Sequence, residues 1–84
     1  MRLDKFLKVS RIIKRRTVAN EACDGGRVSL NGRVAKAGAE VKVGDKITIQ
    51  FGEKLLAYEV LQINEHAMKN DAALMYRPLN EGEQ

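Results

Sequence analysis

The residues with the most chemistry to offer are cations. Arg2, Lys5, Lys8, Arg11, Lys14, Arg15 and Arg16 fall in one short stretch and face a single acid, Asp4. Ion pairing along a helix needs both signs, so this stretch does not neutralise itself. The missing anion must come from outside, and phosphate suits it: guanidinium forms a bidentate fork with phosphate oxygens, and lysine adds a point charge. Contact with a phosphate-bearing polyanion is the chemistry these positions predict, against the plainer alternative of a solvated helix face. Arg2 and Arg16 stand at the starts of two expected helices, where backbone N–H groups add to the attraction for an anion. Lys5, Lys8, Arg11, Lys14 and Arg15 widen the basic footprint. Asn20, one turn after Arg16, falls on the same side. Arg33 and Lys36 offer contacts to a second stretch of backbone, or serve as exposed strand charges that discourage edge pairing. Asp4 reads as support for the site, capping the first helix or bracing Arg2 or a neighbouring arginine. No other acid lies near Arg2 and Arg16, so removing either side chain is expected to leave folding almost untouched.

Other chemistries find no footing. Cys23 is the single cysteine and His66 the single histidine, too few for an internal disulfide or a four-ligand zinc site. Ser10 and Ser29 lack a histidine and acid to activate them. Gly25-Gly26 has none of the rest of a phosphate-binding loop and reads as a helix end. The expectation is a non-enzyme with no catalytic residue, metal or cofactor.

These side chains must be carried by a small scaffold. The chain has 84 residues, 44% hydrophobic and 31% charged, which suits one globular domain and leaves no room for a separate catalytic one. No apolar run approaches a membrane span, and no secretory h-region follows the basic N-terminal residues. The net charge of +4 is unevenly spread: residues 1–36 carry ten Lys or Arg against three acids, and residues 37–84 five against eight. A basic half beside an acidic half predicts one polyanion-binding face.

Leu3, Phe6 and Leu7 recur at helical spacing, with Ser10 completing the stripe. Val18, Ala19, Ala22 and Cys23 mark a second helix, ended by Gly25-Gly26. After that the period changes to two. Arg27–Leu30 and Arg33–Lys36 alternate around Asn31-Gly32, the strongest short-range hairpin signal. Val41 and Val43 lead to Gly44-Asp45, then Ile47, Ile49 and Phe51 share one face. Gly52-Glu53-Lys54 reverses the chain into Leu55–Ile63. The fold class is α+β: two short helices packed on a small twisted antiparallel sheet of four to five strands. Residues 1–63 form the domain with its C-terminal β extension. Residues 64–84 are a short tail, with a helical turn at Asp71–Tyr76 stopped by Pro78 and a frayed polar end.

The ordered set resembles a known family. Arg2-Leu3-Asp4-Lys5-Phe6-Leu7, then Arg16–Ala19, then Gly26-Arg27-Val28-Ser29-Leu30-Asn31-Gly32, Lys36 and Val41-Lys42-Val43-Gly44-Asp45-Lys46-Ile47 resemble the S-four-type RNA-binding domain, or alpha-L motif. The resemblance covers about residues 1–51. A stand-alone copy with a short, acidic end is most similar to the RqcP family of bacterial ribosome-associated quality-control factors, and related to the small ribosome-binding heat-shock proteins. That resemblance implies a cytoplasmic, ribosome-associated monomer bound to obstructed large ribosomal subunits that hold peptidyl-tRNA. It implies contacts to ribosomal RNA and tRNA, and support of C-terminal alanine tailing beside an NFACT-family partner of the RqcH type. The alternatives are an RNA-binding accessory subunit of an RNA-modifying enzyme, a ribosome-assembly factor and a free messenger-RNA regulator. One departure stands out. The family often has Ser before the arginine that opens the second helix, whereas this chain has Arg15, a poor N-cap residue, so the helix is expected to start elsewhere or to be capped otherwise.

Overall fold

The computed structural model describes residues 1–79. Helix α1 (Leu3–Val9) and helix α2 (Arg16–Asp24) come first. Strands β1 (Val28–Leu30), β2 (Arg33–Val34), β3 (Lys46–Phe51) and β4 (Lys54–Val60) follow, then the short helix α3 (Lys69–Ala72) and strand β5 (Tyr76–Leu79). The five strands form one antiparallel sheet in the order β2-β1-β3-β4-β5. This is the α+β architecture that the change of hydrophobic period predicts.

The two helices pack by size. α1 buries the large side chains of Leu3, Phe6 and Leu7, while α2 buries the small ones of Ala19, Ala22 and Cys23. Small residues let the helix axes approach, and the large ones fill the space against Val28, Ile47 and Ile49 of the sheet. The Asn31-Gly32 turn has φ of 53° and 86°, both positive as a type I′ turn requires. Asn31 also ties this turn to the start of β3. Its Oδ1 accepts from the Lys46 backbone N–H at 2.9 Å, and its Nδ2 donates to Asp45 Oδ1 at 3.0 Å.

Residues 37–39 position the N-terminus of α1. The backbone N–H groups of Leu3 and Asp4 donate to the carbonyls of Ala39 and Ala37 at 2.8 and 3.2 Å. The Ala37 N–H in turn donates to Asp24 Oδ1 on α2 at 3.1 Å. One loop thus satisfies donors of the first turn of α1 and fixes that turn against α2.

Two stretches differ from the sequence pattern. The segment after Ile63 does more than make the helical turn suggested by Asp71–Tyr76. Its helix lies earlier, at Lys69–Ala72, Met75 is fully buried, and Tyr76–Leu79 pairs with β4. Pro78 does not prevent this, because β5 is an edge strand and the missing N–H removes no ladder partner on its open side. Tyr76 then meets Tyr58 edge to face, with ring centroids 5.4 Å apart. The polar residues 80–84, expected to fray, lie outside the described residues. Phe51, expected on one face with Ile47 and Ile49, is exposed where those two are buried, and Leu55 and Leu56 are exposed as well. The β1 ladder ends at Ile49, so the tip of the β3–β4 hairpin extends beyond β1.

Candidate nucleic-acid interface

The centre of the basic face is an anion. Asp4 is 2% exposed, and its carboxylate is surrounded by donors. Arg2 approaches through Nε at 3.1 Å and Nη2 at 3.4 Å. Arg16, from the first position of α2, approaches through Nε at 3.3 Å and Nη2 at 3.5 Å. Asn20 Nδ2 donates at 3.3 Å, and the Lys5 backbone N–H at 2.8 Å. Burial pushes the Asp4 carboxyl up, but the bonds from Arg2, Asn20 and Arg16, with the charge of Arg16, outweigh it and hold the group below the usual carboxylate range.

This geometry sorts the predicted residues. Arg2, Asp4, Arg16 and Asn20 form one hydrogen-bonded group, so the role of Asp4 is bracing. The N-cap position of α1 is Arg2, with no side-chain bond there, while Asp4 Oδ1 satisfies the free first-turn N–H of Lys5 at 2.8 Å, so Asp4 serves the helix start as well as the arginines. The side chains of Arg2 and Arg16 remain 54% and 48% exposed, and their bonds to Asp4 use Nε and Nη2, leaving Nη1 outside that contact. One carboxylate between two arginines leaves a net positive centre whose cations are held in place. Free N–H donors on such a centre suit the oxygens of a phosphate.

The shared carboxylate corrects one expectation. Arg2 and Arg16 both anchor a buried acid, so losing either costs stability, about 1 kcal/mol once the half-exposed side chain is discounted for solvent screening.

Around the centre, Lys5 and Lys8 lie three residues apart on α1; Lys5 is half-buried and its Nζ reaches Glu65 at 3.3 Å, while Lys8 is exposed. Arg11, Lys14 and Arg15 are exposed in the connection to α2. Arg11 has φ of 64°, a left-handed conformation that a non-glycine residue adopts at a cost. Arg15 is the N-cap of α2 and makes no side-chain capping bond, as its residue type dictates.

Arg33 and Lys36 share no hydrogen bond with the Asp4 group. Arg33 is exposed on edge strand β2, and Lys36 Nζ donates to the Asp24 carbonyl at 3.3 Å, at the far end of α2. A cation there complements the negative end of the helix dipole. Sequence pattern does not single out Arg27, Thr17 or Glu21. Arg27 is exposed in the α2–β1 connection. Thr17 and Glu21 line a cavity of about 350 Å³ with Asp4, Arg16 and Asn20. Only the helical spacing of 16, 17, 20 and 21 could have signalled that set.

Cys23 is fully buried between the helices, and burial, with the charges of Asp4 and Asp24, pushes its thiol up to about 11. Among the described residues, no group of three or more His, Cys, Asp or Glu is placed to hold a metal ion. No helix among them is long and apolar enough to cross a membrane.

Comparison with known proteins fits this geometry. Residues 1–47 match the S4 domain. Over 81 residues the chain is 54% identical to the RQC P-site tRNA stabilizing factor of Bacillus subtilis, covering 96% of this chain and 94% of that protein. The chain belongs to the S4-domain family of RQC P-site tRNA stabilizing factors. The protein of the same description from Halalkalibacterium halodurans is 55% identical over 76 residues, covering 90% of this chain and 86% of that protein. Among solved structures, the trimeric heat shock protein 15 of Vibrio cholerae superposes with a TM-score of 0.86 at 30% identity, covering 99% of this chain and 84% of that one. In this S4-domain chain the Asp4-centred group joins the starts of both helices within the matched region.

Proposed function

We propose that this chain is a non-catalytic RNA-binding factor of ribosome-associated quality control. It binds obstructed large ribosomal subunits that carry peptidyl-tRNA, contacts ribosomal RNA and tRNA through the basic face of α1 and α2, and acts in the cytoplasm. In that position it supports C-terminal alanine tailing of the stalled chain beside an NFACT-family partner of the RqcH type. The observation that carries the reading is the pair of half-exposed guanidinium groups fixed on buried Asp4. Kinship with proteins described as stabilizing P-site tRNA supplies the partner.

The arrangement favours recognition by shape and backbone. The chain has two Phe, two Tyr and no Trp, few platforms for stacking a run of single-stranded bases. Its cations instead suit the phosphates of folded RNA.

The test is sedimentation of the tagged chain through a sucrose gradient after stalling translation. The proposal expects co-migration with free large subunits that retain tRNA. Stoichiometric recovery with one modifying enzyme, and none with subunits, contradicts it.

A further inference from the structure

The cavity beside the Asp4 centre contains a group that phosphate binding does not explain. Its lining is Asp4, Arg16, Thr17, Asn20 and Glu21, and its volume is about 350 Å³, at the lower end of ligand pockets. Asp4 is saturated by its donors and buried. Glu21 is the opposite case: exposed, with no ion pair or side-chain hydrogen bond.

Local physics disfavours a carboxylate at this position. Glu21 lies in the last turn of α2, where the helix dipole prefers cations, and that turn holds no basic residue. Its helical neighbours at i−4 and i+4 are Thr17 and Gly25, which give it no counter-charge. It also stands on the half of the chain with the positive excess, where it repels the phosphates that the arginines attract. A partner that donates hydrogen bonds would offset these unfavourable terms.

Resting on the proposed RNA reading, we infer that this cavity receives one unstacked guanine base, read by Glu21. Guanine presents two adjacent donors, N1–H and the N2 amino group, on its Watson–Crick edge, and a carboxylate can accept both. Adenine and cytosine offer a single exocyclic amino group there, and uracil a lone N–H between two carbonyls. Asn20 reinforces the choice: its Nδ2 is committed to Asp4 at 3.3 Å, which leaves Oδ1 as a further acceptor. Arg16 supplies a guanidinium plane for a base to stack on, of the type that holds splayed bases in RNA complexes. The site thereby adds base selection to a face that otherwise reads only backbone.

The sign of one substitution separates this from electrostatics alone. Glu21→Gln and Glu21→Ala remove a negative charge, so a face that binds only phosphate tightens or stays unchanged. A base-reading Glu21 makes both variants bind more weakly. The assay is fluorescence anisotropy at low salt with single-stranded RNA octamers of A and U carrying one central G, inosine or A, alongside affinity for purified large subunits. The expected result is tighter binding of the G octamer than of the inosine octamer, which lacks the N2 amino group, and of the all-A/U octamer. Loss of a bidentate base contact amounts to about 5- to 100-fold, and both Glu21 variants should abolish that preference. Equal affinity for the three octamers, or variants that bind all of them more tightly, overturns the inference while large-subunit binding leaves the parent reading intact. Failure of the unmodified chain to bind either subunits or octamers overturns both.

Discussion

Replacing Asp4 by Asn probes the site at its least forgiving point. The side chain keeps its size, but one acceptor oxygen becomes an NH2 group. In a shell made of Arg2, Arg16, Asn20 and the Lys5 N–H, that places donors against donors. It also leaves two guanidinium groups side by side without their anion. Breaking a buried ion pair costs about 3–5 kcal/mol, and the half-exposed arginines reduce this to about 2–3 kcal/mol. For a domain of this size that is roughly 8–24 °C in Tm. Binding supplies a second readout. The substitution makes the face more positive, so attraction by net charge predicts tighter binding to large subunits. If the carboxylate instead holds the arginines in a productive geometry, binding weakens at a temperature where the variant remains folded. Thermal melts and subunit binding of Asp4→Asn, compared with the unmodified chain, decide between them. A Tm within about 2 °C of the parent, with equal or tighter binding, refutes the reasoning. The acid limb gives an independent check. The folded-state pKa of Asp4 is depressed, so its stabilisation is complete above the unfolded value near 3.8 and is lost as pH falls through the lower folded value. Asp4→Asn should flatten the loss of stability below about pH 4.

Three further outcomes follow from the same geometry. Affinity for large subunits should fall with salt at a log–log slope of about 2–5, from two to six phosphate contacts, and a flat response measured by filter binding would mean that protein contacts dominate. Arg11→Gly relieves a left-handed backbone at φ 64°, so chemical denaturation should show a gain of about 1 kcal/mol, even as the lost charge weakens RNA binding. Cys23 should resist alkylation by iodoacetamide at pH 8 in the native state, and stability should decline as pH rises from about 9 to about 11, because the raised folded pKa favours the protonated thiol up to that range.

Much of this molecule can be read from local pattern. Asn31-Gly32 announces its turn because few residue pairs tolerate positive φ twice, and the helical stripes of α1 and α2 announce their packing. The excess of cations in residues 1–16 announces a polyanion face. Pairwise geometry is harder. Nothing local says that Asp4 meets Asn20, sixteen residues away, because the contact depends on how loop 37–39 sets one helix against the other. β5 is hidden for a related reason: Pro78 argues against a strand until the topology shows that it lies on an edge. Phe51 and Leu56 share a face with Ile47 and Ile49 by alternation, yet are exposed at the end of the β3–β4 hairpin, where the β1 ladder has ended at Ile49. Glu21 is not legible in the sequence because a lone acid on a helix looks like solvent-facing charge until its neighbours are known.

The central claim is that Arg2 and Arg16, fixed on Asp4, contribute more to RNA binding than the cations around them. Its most direct test is the affinity of Arg2→Ala, Arg16→Ala, Lys5→Ala and Lys8→Ala for large subunits that hold peptidyl-tRNA, with melts to confirm folding at the assay temperature. Each arginine variant should lose about tenfold to a hundredfold, the value of a charged hydrogen bond to phosphate of roughly 1.5–3 kcal/mol, while each lysine variant loses only a few-fold. Equal, small losses across all four folded variants would contradict the claim and reduce the site to a diffuse positive charge.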